Sequence, residues 1–312
     1  MAPRRPCGAA SRLRPGQPVA PSVRRARTVG RLRMFRSMDT LTIGQLSDLH
    51  LRHHLPGTSA VPDRRSRDIP DLLDEALTAL QAAHVDVVAV TGDLVDHPLD
   101  AADSEQSLRQ GVADLELIAE ARSALACPWF VLPGNHDHDE LFEHVFGDRP
   151  RELDVSGFRV VAFHDWDRCL HESGNPDDVP ENVPRREGDE RDRFDSVLGD
   201  DDSRLQVHLQ HYVITPRLDE GWPHTYCDGE LLRDALVTDE RVRLVLSGHY
   251  HPGVDSFLEG DVDSGTRFHV APAFCQAPHP VLLHELRLDG ALTTTRVDLR
   301  PVPVTPTAET VR

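Results

Sequence analysis

From Thr40 onward, short apolar runs alternate with stretches whose apolar residues recur at helical spacing, and five of the runs break off on clusters of Asp, His or Asn. That alternation is the strongest constraint on the fold. Leu41 to Leu46, Val85 to Val90, Trp129 to Leu132, Phe158 to Phe163, Leu205 to Leu209 and Val242 to Leu246 read as strands, with further β-like runs near Phe268, Val281 and Thr293. Between the first two, Leu72, Leu73, Ala76, Leu77 and Leu80 put one apolar face on a helix over residues 68–83, with Asp68 at its N-cap. A second helix is expected over about 103–126 and a third opening near Asp228. Strands and helices in turn predict an α/β chain with sheets inside and helices outside.

The polar clusters sit where ligands gather in open α/β sheets, just beyond the strand ends. They are Asp48-Leu49-His50, Gly92-Asp93, Gly134-Asn135-His136-Asp137, His211 and Gly248-His249-Tyr250-His251. Asp48 and His50 stand two apart, so on an extended strand they face one side and can share a cation; His249 and His251 repeat that spacing. Gly92, Gly134 and Gly248 each precede a candidate ligand, where a residue without Cβ lets the backbone turn sharply. Asp48, His50, Asp93, Asn135, His211, His249 and His251 combine carboxylate, amide and imidazole without thiolate. Such a set suits Zn²⁺, Mn²⁺ or Fe rather than Ca²⁺ or an iron–sulfur cluster. It is too large for one tetrahedral zinc, whereas two metals about 3.5–4 Å apart sharing a carboxylate accommodate it.

Taken in order, Asp48-x-His50, Gly92-Asp93-x-x-Asp96, Gly134-Asn135-His136-Asp137, His211 and Gly248-His249-x-His251 resemble the signature blocks of the calcineurin-like metallophosphoesterase superfamily. The likeness spans about residues 40–300 and implies a four-layer α/β/β/α sandwich around a dinuclear site. By that resemblance, Asp48, His50 and His251 would hold the first metal, Asp93 would bridge, and Asn135, His211 and His249 would hold the second. The metals would be divalent or trivalent Mn, Fe or Zn. A metal-bridging hydroxide would attack phosphorus, with His136 assisting the leaving group and Asp96 orienting His136. The fourth block departs from the pattern: many members place His-His or His-Pro there, whereas this chain has Gln210-His211-Tyr212-Val213, closer to the purple-acid-phosphatase form. The Ser47-Asp48-Leu49-His50-Leu51 opening and the Gly248-to-Pro252 close are most similar to the bacterial cyclic-nucleotide and glycerophosphodiester phosphodiesterase branch. Hydrolysis of a small phosphodiester is therefore expected, with a phosphomonoesterase or a non-catalytic scaffold of the same fold as alternatives.

Charge separates the chain into two segments. Residues 1–37 carry ten Arg and no acid, and the remainder carries 24 Arg against 52 acids, or −28. An acidic body argues against a nucleic-acid partner. The Arg-rich stretch over 1–38 is expected to be disordered, either as a transit-type leader or as a mis-assigned start with Met34 or Met38 as the true one. No run of 18 or more apolar residues marks a membrane span. Five scattered cysteines without a Cys-x-x-Cys pair give no disulfide framework and fit a reducing, cytoplasmic compartment.

Several residues outside the blocks also invite a reading. The acidic, Pro- and Gly-containing segment at about 171–204 interrupts the alternation and reads as a solvated insertion or a lid, and 301–312 as a frayed tail. His53, His54, His97, His138, His144, His208 and His279 read as surface or supporting groups, with His53, His97 and His138 close enough to line the site mouth. His164-Asp165-Trp166 follows a strand and could border the pocket. Trp222 and Tyr226 either stack on a base or pack.

Overall fold

The structure, a computed structural model, describes residues 39–98, 104–165, 183–219, 223–262 and 265–300. The expectations for 1–38, 301–312, Trp166, Trp222 and the first part of the acidic segment lie outside the described residues. Two sheets form the centre. The first takes β1 (Thr40–Leu46), β2 (Val87–Thr91), β3 (Trp129–Leu132), β10 (Pro280–Arg287) and β11 (Leu292–Asp298) in the order β11-β10-β1-β2-β3. The second takes β4 (Glu152–Val155), β5 (Phe158–Ala162), β6 (Gln206–Leu209), β7 (Val242–Ser247), β8 (Val254–Glu259) and β9 (Thr266–Val270) in the order β4-β5-β6-β7-β9-β8. Strands β1, β2 and β3 are parallel, as are β5, β6, β7 and β9, so their carboxyl ends line up.

Residue alternation explains the layering. Leu41 and Ile43 of β1, Val87 and Ala89 of β2 and Phe130 and Leu132 of β3 pack between the sheets against Phe158, Val160, Val207, Leu209, Leu244 and Leu246. The intervening residues face helices: Leu46, Val88, Val90 and Val131 meet α1 (Ile69–Ala83), α2 (Glu105–Ala121) and α3 (Asp139–Phe146). On the far face, Val161, Val245 and Phe268 meet α4 (Gly188–Gly199) and α5 (Gly229–Thr238) through Phe194, Val197, Leu232 and Leu236. The result is the four-layer α/β/β/α sandwich. Gly44 lets α1 sit close to β1, since a Cβ there would lie 2.2 Å from Leu80 Cδ2.

Two local expectations gain detail and one is corrected. Asp68 is the N-cap residue of α1, as expected, although its backbone is helical and its side chain makes no cap bond. The second helix starts at Glu105, where Ser104 Oγ accepts from Ser107 N at 3.1 Å, and it stops at Ala121. Within the acidic segment, α4 is a packed helix and not a solvated loop. Only Phe194 and Val197 face its core, too few apolar positions to register as a period among its acids. Helix α3 and strands β4 and β8 carry no clear sequence pattern, the first because it is only eight residues long and the strands because their faces are half exposed.

Candidate metal centre

Five strand ends converge on one place. The chain leaves β1 into Asp48 and His50, β2 into Asp93, β3 into Asn135 and His136, β6 into His211, and β7 into His249 and His251. The sequence spacing had suggested that Asp48 and His50 share a strand face. Instead β1 ends at Leu46, and Asp48 (φ 54°), His50 (φ 45°), Asp93 (φ 50°) and His249 (φ 68°) all adopt left-handed backbone. For residues with a Cβ, that conformation costs on the order of 1 kcal/mol or more each and persists only where surrounding bonds enforce it. Here Asp48 N donates to Gly92 O at 3.0 Å, His50 N to Asp93 O at 2.9 Å, and His249 N to Asp48 Oδ2 at 3.1 Å. Strained turns, rather than strand alternation, aim the donors.

Glycine also acts differently from the sequence reading. Gly92 has positive φ, the sharp turn foreseen. Gly134 is instead required by close approach, since a Cβ there would lie 2.2 Å from Asp93 Oδ1, and Gly248 likewise, at 1.9 Å from Ser47 Oγ.

The donor atoms form two overlapping groups. Asp48, His50, Asp93 and His251 offer atoms within 4.8 Å of one another, and so do Asp93, His211 and His249. His50 Nε2 lies 3.1 Å from His251 Nε2 and 3.3 Å from Asp93 Oδ2. On the other side, His211 Nε2 lies 3.5 Å from Asp93 Oδ1 and 3.3 Å from Asn135 Oδ1. His211 Nδ1 is 2.7 Å from Thr91 O, which commits that nitrogen and leaves Nε2 to the cluster. All seven sequence-proposed ligands therefore meet, with one oxygen of Asp93 toward each group. Asp48 Oδ1 and His249 Nε2 are buried without a hydrogen-bond partner, an arrangement too costly to leave uncompensated and one that a cation resolves. Carboxylate, amide and imidazole donors fit borderline first-row metals.

Burial and neighbouring charge set the protonation. Burial pushes the Asp48 carboxyl up. It pushes Asp93 up as well, but His211, His136, His50 and His249 together hold that carboxyl well below its ordinary value. Burial keeps His50, His249 and His251 below the usual histidine range, the neutral state that ligation requires. His136 differs. Burial lowers it, yet Asp93 and the Asp96 hydrogen bond lift it above the ordinary value. Its Nδ1 is 3.1 Å from Asp96 Oδ1, and its ring is perpendicular to that of His50 with centroids 4.6 Å apart.

Sequence reasoning missed several supports. Asp137, quoted only as part of a block, accepts from Gly134 N, Leu94 N and Val95 N, tying the β2 and β3 loops together; burial first and Asp93 second push its carboxyl up to about 7. Asp114, fully buried, accepts from the backbone N–H groups of His53, His54 and Leu55. Arg52 and Arg64 reach Asp96 at 3.5 and 3.3 Å. Apart from Gly134, three residues before Asp137, every one of these partners is distant in sequence, so no local pattern reveals the bonds. His224, half-buried, sets its ring 5.1 Å from that of His249.

Other histidine expectations change. His53, His54 and His144 are exposed, but His97, His208 and His279 are buried. His208 lies on the far face of the second sheet, beside Phe163 and Phe194, with Nε2 2.8 Å from Gln206 Oε1. His164 and Asp165 do not join the donor cluster. Arg149 reaches His164 Nδ1 at 2.6 Å, while Asp165 receives Arg186 at 2.8 Å and the Tyr226 hydroxyl at 2.6 Å. Tyr226 thus packs and bonds inside the protein.

A layered α/β/β/α fold with seven such donors at its strand ends is a scaffold with a candidate metal centre at its middle. Residues 41–253 match the family model for calcineurin-like phosphoesterases, and the chain belongs to that family of metal-dependent phosphoester hydrolases. A "probable cyclic nucleotide phosphodiesterase" of Synechococcus sp. is 27% identical over 225 residues, 71% of this chain and 76% of that protein. Among solved structures, a dimetal phosphatase from Danio rerio superposes with a TM-score of 0.61 at 16% identity, covering 82% of this chain and 98% of that one. A purple acid phosphatase from yellow lupin (Lupinus luteus) gives 0.56 at 12% identity, covering 84% and 52%. These likenesses are of fold. Among the described residues no helix is long and apolar enough to cross a membrane.

Proposed function

We propose that this protein hydrolyses a small phosphodiester, a cyclic nucleotide or a glycerophosphodiester, at a two-metal centre. The observation that carries the reading is Asp93, whose carboxylate belongs to both donor groups while His136 stands outside them, held by Asp96. In this reading Asp48, His50 and His251 would hold one ion, Asn135, His211 and His249 the other, and Asp93 would serve both. The ions are drawn from Mn, Fe and Zn. When bound, they supply a water acidic enough to act as nucleophile near neutral pH and neutralise charge on the phosphoryl oxygens.

The chain's own residues do the rest. Asp96 accepts the Nδ1 proton of His136 and, with Asp93, favours the doubly protonated ring, whose Nε2 then carries a proton to give to the departing oxygen. Arg52 and Arg64 keep Asp96 ionised: burial raises its carboxyl, but His136 and the two guanidiniums bring it below the ordinary value. The acidic body repels polyanions at long range, so affinity concentrates at the cationic centre and favours small substrates over nucleic acid. The named activity of the Synechococcus relative supports a diester, and the scattered cysteines support a cytoplasmic setting.

The test is a panel of phosphomonoesters, cyclic nucleotides and glycerophosphodiesters assayed with Mn²⁺, Zn²⁺ and Fe²⁺. A diester should turn over fastest. Faster monoester hydrolysis would reassign the substrate, and a protein that binds no metal and cleaves nothing would be a scaffold.

A further inference from the structure

Cys275 belongs to none of the five sequence blocks, yet the fold delivers it to the first donor group. Beyond β9 the chain continues alongside the turn that carries Asp48: Phe274 N donates to Ser47 O at 2.8 Å and Cys275 N to Asp48 O at 3.1 Å. From the other side, Arg65 N donates to Cys275 O at 2.7 Å. Backbone bonds on both sides therefore fix the cysteine where it is. Its sulfur and one ring nitrogen each of His50 and His251 lie within 4.8 Å of one another. A separate observation marks the neighbouring donor group, which shares His50 and His251, as one that a cation would complete. Asp48 Oδ1, on a fully buried side chain, has no hydrogen-bond partner and stands 3.6 Å from His251 Nε2.

We propose that Cys275 gives the first metal position a soft donor, so that His50, His251 and Cys275 form a set that takes thiophilic cations such as Zn²⁺, Cd²⁺ or Cu⁺ in preference to Mn²⁺ or Mg²⁺. The inference rests on the two-metal reading and adds to it a determinant of which metal is chosen. Thiolate selects softer ions, whereas carboxylate and imidazole alone accept many. Binding breaks the S–H bond, releases its proton to solvent and forms a sulfur–metal bond, with no change of oxidation state. Zinc–sulfur and zinc–nitrogen bonds of about 2.3 and 2.0–2.1 Å place such donors about 3.5 Å apart around a tetrahedral ion. His50 Nε2 and His251 Nε2 already stand 3.1 Å apart, close to that spacing, and the sulfur lies within 4.8 Å of one nitrogen of each ring. The competing account is that Cys275 only fills space, since it also joins the helix-side core, as a buried cysteine does in many proteins.

The full chain, its Cys275→Ser and Cys275→Ala variants and a Cys127→Ser control distinguish these accounts. Zn²⁺-loaded wild type should show a sulfur scatterer at about 2.3 Å by X-ray absorption, and Co²⁺ or Cd²⁺ should produce a thiolate charge-transfer band. Both variants should still take up two Mn²⁺ per chain, yet lose the band and about tenfold or more of their Cd²⁺-over-Mn²⁺ preference, while Cys127→Ser behaves as wild type. Absence of the sulfur shell in wild type, or an unchanged preference in the variants, overturns the proposal. If the variants do not fold, the wild-type absorption spectrum decides alone. Two metals bound without a sulfur shell would sink this inference and spare the two-metal reading, whereas no metal bound at all removes both.

Discussion

Asp96 Oδ1 lies 3.1 Å from His136 Nδ1, and the same carboxylate is approached by the guanidiniums of Arg64 and Arg52. His136 is thus oriented by a charge that is itself held ionised. His136→Ala should keep both metals and lower kcat by about 10²–10⁴. Asp96→Asn should cost less and also shift the pH profile. A group that donates a proton loses effect as pH rises through its pKa, and removing Asp96 lowers that pKa, so the alkaline limb should move to lower pH. Metal content by mass spectrometry and kcat against pH with a bis(p-nitrophenyl) diester check both.

Asp93 contributes to both donor groups, one oxygen facing each. Asp93→Ala should therefore reduce the metal content below two per chain and abolish turnover, whereas His251→Ala should affect one ion. Chelation of the wild type should stop hydrolysis, and re-addition of metal should restore it. Retention of both ions by Asp93→Ala would contradict the shared role.

Gly134→Ala introduces a single methyl group 2.2 Å from Asp93 Oδ1 and 2.4 Å from Asp93 N. The backbone nitrogen cannot swing aside as a side-chain end can, so Asp93 must shift. Metal affinity should fall about tenfold or more, a loss readable by competition with a chromogenic chelator.

Arg186 and Asp165 form a fully buried ion pair at 2.8 Å, with Tyr226 donating to the same carboxylate and the guanidinium 4.0 Å from the Phe163 ring. Removing one partner strands the other charge away from water. Asp165→Ala should cost about 3–5 kcal/mol by urea unfolding, and the double change Asp165→Leu with Arg186→Met should recover much of it.

Three buried histidines outside the donor groups contribute to the acid response. Burial lowers His269 from 6.5 to about 4 and puts His208 and His284 well below their ordinary value. Each is neutral in the fold, so between about pH 6.5 and 4 the unfolded chain binds more protons and stability falls as pH falls. His269 alone should contribute up to about 3 kcal/mol of loss by pH 4. Unfolding midpoints across pH 8 to 4.5 should decline below 6.5, with a shallower slope for His269→Gln.

The strands that build the site were legible because their interiors are nearly continuous apolar runs, as in Val87–Thr91 and Trp129–Leu132, which face packing partners on both sides. The α4 helix is not, because Phe194 and Val197 gain their burial from a cluster with Val161 of β5 and Leu232 and Leu236 of α5, which no local pattern shows. The seven donors were legible as types at strand ends. Their aim was misattributed to strand alternation, since φ cannot be read from a residue name.

The sequence by itself determined the chemical class of the donors, their order and the alternation that brings strand ends to one side. These are local properties of composition and period. Tertiary structure alone decided which oxygen of Asp93 faces which group, that Asp96 carries His136 together with two arginines, and that Cys275 lies beside His50 and His251. Neighbouring strand ends of the first sheet bring Asp96, His136 and the arginines together, whereas His50 and His251, about two hundred positions apart, meet only because one sheet packs against the other.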